Sequence, residues 1–356
     1  MEFEKLRQAY ISGELTPKSH VVNAERILPF PENKIVDFMS LPDSDREAGL
    51  ALLKKGAWAR LVLNGGMATR FGGKVKGICE VYEGFSFLEL KLNHMSRMEA
   101  LLGIPEIPVA LMNSPATHQK TMDYLTEKSF FGRKKITVFV QVDAPRLTLE
   151  GKLFESMEGK DRAPRGHGDF LWALEESGTF DEWAKRGVSH FDFSNIDNLG
   201  AAIEPSLLGA FVNSQKMMGV EVVRKNPGDA GGAACLRDGV KGVLESIYFD
   251  QVFDQDILPF FSPNNLMYCL KSLQNFAKDP NSAIPWNVVV KKVEGQEVLQ
   301  FERIAIDTVY AFNKNSSDDN VAFFLVPREG NQGRFYPVKS PDDLEKMRDK
   351  IKERLA

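Results

Sequence analysis

A strand-like run, AWARLVLN at residues 57–64, leads straight into GGMATRFGGKVKG at residues 65–77. Such a loop suits an anion. Its small residues Gly65, Gly66 and Ala68 let backbone N–H groups approach a phosphate, and Arg70 and Lys76 bring positive charge to it. Two familiar phosphate motifs do not fit. A Walker A motif needs glycine five residues ahead of Gly73 and Ser or Thr after Lys74, where the chain has Ala68 and Val75. A dinucleotide fingerprint begun at Gly66 fails at Ala68 and again at Phe71. The plain alternative is a flexible turn with solvated cations, but a strand feeding directly into a cationic glycine loop favours anion binding. The five histidines show no H-E-x-x-H spacing, which argues against a transition metal. Cys79, Cys235 and Cys269 form no C-x-x-C, so neither a disulfide framework nor a zinc knuckle is expected.

The elements around the loop alternate. Residues 86–103 suit a helix with Leu88, Leu92, Met95 and Leu102 on one buried face. A buried strand follows at 107–113, a helix at 115–128, a strand ending at Gln141, a helix at 168–178 and a strand at 188–198. That order predicts a doubly wound, Rossmann-like α/β sheet, whose ligands bind beyond the carboxyl ends of the strands. Asn64, Asn113, Gln141 and Asp197 all fall at such ends. After residue 220 shorter strands and a turn at Asp238-Gly239 predict a partly antiparallel extension, which makes the sheet mixed. Residues 1–56 read as a polar helical segment, 57–312 as the catalytic domain and 313–356 as a C-terminal segment with a charged terminal helix. Polar clusters near 259–265 and 279–286 read as surface loops.

The bulk numbers exclude some classes. A hydrophobic fraction of 43% and a charged fraction of 26% are those of a globular protein, and a net charge of -4 gives no footprint for nucleic acid. The first ten residues, MEFEKLRQAY, have no apolar signal core, and no run is long enough to span a bilayer; a cytoplasmic protein without a membrane partner is expected.

The loop, as LNGGMATRFGGKVKG, resembles the opening signature of the UDP-sugar pyrophosphorylase family, with Ala68 in place of a glycine and Val75 in place of a proline. Further matches arrive in the family's order: ALMNSPATHQKT, FVQVDAPRL, the G-H-G-D of residues 166–169, SNIDNLGAAIEP, GDAGGAACLRDG with VLESIYFD, FSPNNLMYCL, FERIAID and GRFYPVKS. The resemblance spans residues 57 to 345 or so and implies a nucleotidyltransferase-type fold. It implies that a sugar 1-phosphate, glucose 1-phosphate first, attacks the α-phosphate of UTP with Mg2+ and releases pyrophosphate. SNIDNLGA is similar to glucose-type members and FERIAID to hexosamine-type members, so a UDP-N-acetylhexosamine or broad UDP-sugar enzyme is the alternative. A catalytically weak sugar-nucleotide-binding protein on the same fold is the alternative of another class.

The resemblance also assigns roles. Lys76, Lys339 and Arg70 would meet the reacting phosphates; Asn64, Gly65, Gly66, Gln141 and Gly166 would hold the nucleotide, Gln141 on the uracil edge. His167, Asn198, Gly232, Glu245 and Asn265 would hold the sugar phosphate, and Asp197 would face Mg2+. The alternatives are an Asx turn at Asp197, solvated lysines, a helix-capping His167 and a plain strand-end Glu245. Asp307 is either a second metal-facing carboxylate or the polar face of a helix. A phosphate nucleophile is already ionised, so His167 is a hydrogen-bond partner rather than a base. With the sequence ending soon after GRFYPVKS, no C-terminal β-helix of the kind in eukaryotic relatives is expected, and a monomer or weak dimer is expected with it.

Overall fold

The computed structural model describes residues 2–229, 231–279, 283–314, 316 and 318–355, and leaves the side chains of Ala68 and Thr69 outside the description. Its centre is a twelve-stranded mixed sheet. Four strands, β1 (Trp58–Leu63), β2 (Val109–Asn113), β3 (Ile136–Val140) and β4 (His190–Asn195), run parallel in the order β4-β1-β2-β3. Every residue of β1 and β2 is buried, because helices cover both faces, and their sequences are accordingly near-continuous apolar runs. The register sets Asn195 beside Leu63, Leu63 beside Met112 and Asn113 beside Val140, so the carboxyl ends finish in one row. The doubly wound sheet expected from the sequence is the one found.

Local chemistry fixes the helices. Helix Phe87–Leu102 starts at Ser86, whose side chain accepts the Glu89 N–H at 3.1 Å, and ends at Gly103 with φ 61°. On the far side of β4 the sheet turns mixed. Strands β5 (Met218–Arg224) and β6 (Leu266–Cys269) pair antiparallel, β6 also pairs antiparallel with β4, and β7 (Val321–Leu325) runs parallel to β5. The predicted turn at Asp238-Gly239 has φ 52° and 76°, the paired positive values of a tight hairpin, and joins Ala233–Arg237 to Val240–Leu244.

Two expectations need correction. Residues 259–265, expected on the surface, run through the sheet: Phe260–Phe261 is a buried strand, and the Ser262 N–H donates to Gly232 O at 2.7 Å. Their polar residues misled because Ser262 and Asn265 are buried and hydrogen-bonded inside the protein. Of the other cluster, residues 280–282 lie outside the described set. Residues 1–56 hold helices Glu2–Ile11 and Asp43–Lys54, yet Ile27–Pro29 pairs antiparallel with Cys235, Leu236 and Arg237, and Val36–Asp37 runs parallel beside Phe324 and Leu325. Burial of Ile27 and Phe30 drives these short extended pieces into the sheet.

A separate three-stranded sheet is made of Leu147–Thr148, Asn287–Val293 and Gln296–Glu302. Helix Glu2–Ile11 lies on it. Phe3, Leu6 and Tyr10 pack against Leu147, Leu299 and Phe301; Arg7 donates to Gly151 O at 2.8 Å and Arg303 to Glu2 Oε1 at 2.7 Å. Among the described residues no helix is long and apolar enough to cross a membrane.

Candidate active site

Two cavities open along the row of strand ends and meet at His167, Asn195 and Asp197, which line both. The larger, about 640 Å³, is walled by the glycine loop, Gln141 and the hairpin residues Lys291, Gln300 and Glu302. Close approach explains the glycine at residue 65. A Cβ there would sit 2.6 Å from Gln141 Nε2 and 3.2 Å from Ser114 N, whereas one on Gly66 would meet open space. Gln141 is anchored by its own N–H, which donates to Asn113 O at 2.8 Å. Its side chain is buried, and Oε1 has no partner among the described residues. An unmet amide oxygen in a polar cavity is a place for a donor from a ligand. Asn64 sits behind this wall: fully buried, it donates to Asn113 Oδ1 at 2.8 Å and Thr121 Oγ1 at 3.1 Å, and it lines neither cavity.

Gly166 has φ 82°, and a Cβ there would lie 2.4 Å from Arg303 O. That contact seats His167, whose Nδ1 accepts the Ala305 N–H at 3.1 Å. The proton of the neutral ring therefore belongs on Nε2. Burial holds the imidazole pKa down at about 4, so at neutral pH the ring is an uncharged donor.

Charge collects where the cavities meet. Asp197 lies in the turn after β4, and its carbonyl accepts the Val338 N–H at 3.1 Å. Lys76 is buried; its ammonium donates to Val338 O and lies 3.6 Å from Asp197 Oδ2. Lys339, the next residue, lines the second cavity. One strap thus sets Lys76 on the side of the larger cavity and Lys339 on the side of the smaller. Arg70 is exposed and lines neither. Among the described residues no cluster of three His, Cys, Asp or Glu side chains could hold a metal. Asp197, a single carboxylate where two polar cavities meet, suits Mg2+, which takes few protein ligands and fills its shell with phosphate oxygens and water.

The smaller cavity, about 380 Å³, is lined by Gly231, Gly232, Glu245, Asn264, Phe261 and Phe335 among others. A Cβ on Gly232 would stand 3.1 Å from Glu245 Oε1. Burial raises the Glu245 pKa, against the pull of Lys339. Asn198 borders the cavity, but its amide is used: Nδ2 donates to Asn265 Oδ1 and Arg334 O at 3.1 Å each, and Oδ1 accepts the Tyr336 N–H at 2.9 Å. Asn265 stands behind, donating to Glu221 Oε2 at 3.0 Å, while its neighbour Asn264 is the one at the cavity, with φ 58°. Behind both, Arg334 and Glu221 form a two-pronged buried pair at 2.7 and 2.6 Å. Asp307 lines neither cavity. It is buried, accepts the Tyr248 hydroxyl at 2.5 Å, and burial raises its pKa to about 7.

Residues that the sequence did not single out are Asn195, Asn264, Lys291, Gln300 and Glu302. The first two adjoin Ile196-Asp197 and Asn265 within the quoted motifs; the last three alternate on strands that an apolar-polar pattern would expose.

The family model for UTP–glucose-1-phosphate uridylyltransferase matches residues 1–352. The chain belongs to that family. Its relatives include the UTP–glucose-1-phosphate uridylyltransferases of Musa acuminata, 31% identical over 96% of this chain and 72% of that one, and of Hordeum vulgare, 30% identical over 96% and 71%. Solved structures share the fold. A UDP-glucose pyrophosphorylase from Leishmania major, in complex with UDP-glucose, superposes with a TM-score of 0.79 at 22% identity, covering 96% of this chain and 74% of that one. A UDP-glucose phosphorylase from Trypanosoma brucei gives 0.76 at 23%, covering 95% and 72%. Membership in the uridylyltransferase family makes this chain a nucleotidyltransferase.

Proposed function

We propose that the chain joins UTP and glucose 1-phosphate into UDP-glucose and pyrophosphate, with UTP in the larger cavity and the sugar phosphate in the smaller. The observation that carries this reading is the junction. Asp197 and His167 border both cavities, and Lys76 and Lys339 flank them from opposite sides of one strap. A phosphate oxygen of the sugar attacks the α-phosphorus of UTP, a new O–P bond forms, and the bond to the leaving pyrophosphate breaks. Transfer of this kind depends on positioning and on neutralising charge. Lys76 and Lys339 supply that charge. His167, neutral and protonated on Nε2, donates a hydrogen bond without taking a proton. Gln141 reads the uracil edge with its unmet amide oxygen. Mg2+ held at Asp197 supplies charge neutralisation to the triphosphate when bound.

The test is pyrophosphate release from UTP across a panel of sugar 1-phosphates. Glucose 1-phosphate should give the highest kcat/KM. A preference for N-acetylglucosamine 1-phosphate moves the reading to the hexosamine type, and UDP-glucose binding without turnover makes the chain a sugar-nucleotide-binding protein.

A further inference from the structure

Lys91 is a buried cation with no part in the reaction as described so far. It projects from helix Phe87–Leu102 with 4% of its surface exposed. Its ammonium donates to Ser194 Oγ at 3.0 Å, Asn195 O at 3.1 Å and Asn198 O at 3.1 Å. Three acceptors at these distances use all three of its protons and select the ammonium form. Burial draws its pKa down to about 7 and Arg60 adds to that, while Asp192 and Asp197 favour the charge. The three acceptors share one purpose: they are the last residues of β4 and the turn behind it, and they bracket Asp197 on both sides. Lys91 grips this turn from the core while the Asp197 carboxylate faces the cavities and Lys76.

We propose that Lys91 is a positioning residue, whose three bonds fix the 194–198 turn so that Asp197 meets the metal and phosphates in one orientation. The proposal rests on Asp197 as the metal-facing carboxylate. A buried ammonium suits the task better than a neutral donor. It satisfies two backbone carbonyls and a hydroxyl at once, and its charge attracts the Asp197 carboxylate.

The experiment measures UTP binding by calorimetry while Mg2+ is titrated, and again in EDTA. Lys91→Met should raise the Mg2+ concentration at half-effect by about tenfold, as losses of outer partners of a metal carboxylate do. UTP binding in EDTA should not change. Arg133→Met is the control for lost stability alone. Arg133 is buried and paired with Glu99 of the same helix at 2.9 Å, outside both cavities, so its loss should lower Tm and leave the Mg2+ midpoint in place. A Lys91→Met protein with a wild-type midpoint overturns the proposal. Should that variant fail to fold, Ser194→Ala decides, since it removes one bond of three: a smaller shift in the same direction supports the inference, and no shift overturns it. Asp197→Asn separates the two layers. If its midpoint matches wild type, the metal assignment fails and the inference with it. If Asp197→Asn shifts while Lys91→Met and Ser194→Ala do not, the inference alone fails.

Discussion

The two cavities are built on different principles. The larger one is framed by the glycine loop, by strand ends and by the distant hairpin residues Lys291, Gln300 and Glu302, and its key surfaces are backbone and one buried amide. The smaller one is walled by residues from several distant parts of the chain, from His167 to Lys339, and a buried polar network stands behind them: Arg334 with Glu221, and Asn265 with Asn198. A flexible triphosphate can be gripped by backbone donors and a few cations. A rigid sugar ring, as proposed for the smaller cavity, asks for fixed walls, and one ion pair and one amide contact stand behind them.

Damage should therefore spread differently through the two halves. The largest effect belongs to Arg334→Met, which leaves the Glu221 carboxylate buried without its partner. Such a loss destabilises a protein by about 3–5 kcal/mol, which urea unfolding will measure. At temperatures where the variant stays folded, KM for glucose 1-phosphate should rise far more than KM for UTP. An equal rise in both would erase the distinction between the cavities.

Lys339→Ala comes next. On the proposed reading its cation serves the charge that builds in the transition state, so kcat should fall roughly 10²–10³-fold with UTP affinity kept. Wild-type turnover would return Lys339 to the solvated surface. Gln141→Ala probes the larger cavity. The ratio of kcat/KM for UTP over CTP should fall by roughly 5- to 150-fold, the value of one unpaired buried group at about 1–3 kcal/mol. An unchanged ratio would give uracil reading to the backbone of Gly65 and Gly66.

The smallest effect is expected at Asp307, which belongs to neither cavity. Its pKa is raised from 3.8 to about 7, first by burial. A raised folded-state pKa means that the folded protein binds more protons than the unfolded chain between these values. The stabilising contribution is complete below pH 3.8 and is lost as pH climbs through about 7. Asp307→Asn, which keeps the contact to Tyr248 without an ionisable group, should flatten the fall of Tm between pH 5 and 8 by roughly the slope of one proton. Activity should stay at wild-type level. A pH profile of Tm identical to wild type would place the proton elsewhere.

Legibility in the sequence followed the same division. The glycine loop, the parallel strands and the row of strand ends were plain, because each is encoded in contiguous residues with its own period. Lys76 and Lys339 were visible as motif cations, but the strap through Val338 that sets them on opposite sides was not. Asn265 was assigned through the resemblance of FSPNNLMYCL, whereas Asn264, with its positive φ, is the one that lines the cavity. Asn64 and Asn198 carry amides suited to ligand contacts, yet Asn64 lies behind the cavity wall and protein groups take up the Asn198 amide. Arg334 and Glu221 lie 113 residues apart, and no local pattern links them.

The helix at Glu2–Ile11 also sets an order of events during synthesis. Its earliest partners lie at Leu147, Leu149 and Gly151, and its last at Leu299, Phe301 and Arg303. At ~5–20 residues per second a ribosome needs roughly 15–60 s to make ~300 residues. Through that interval Phe3, Leu6 and Tyr10 wait for a complete surface. The hairpin 287–302 that roofs the larger cavity is made about 280 residues after the helix that clamps it, so a segment made early is locked late.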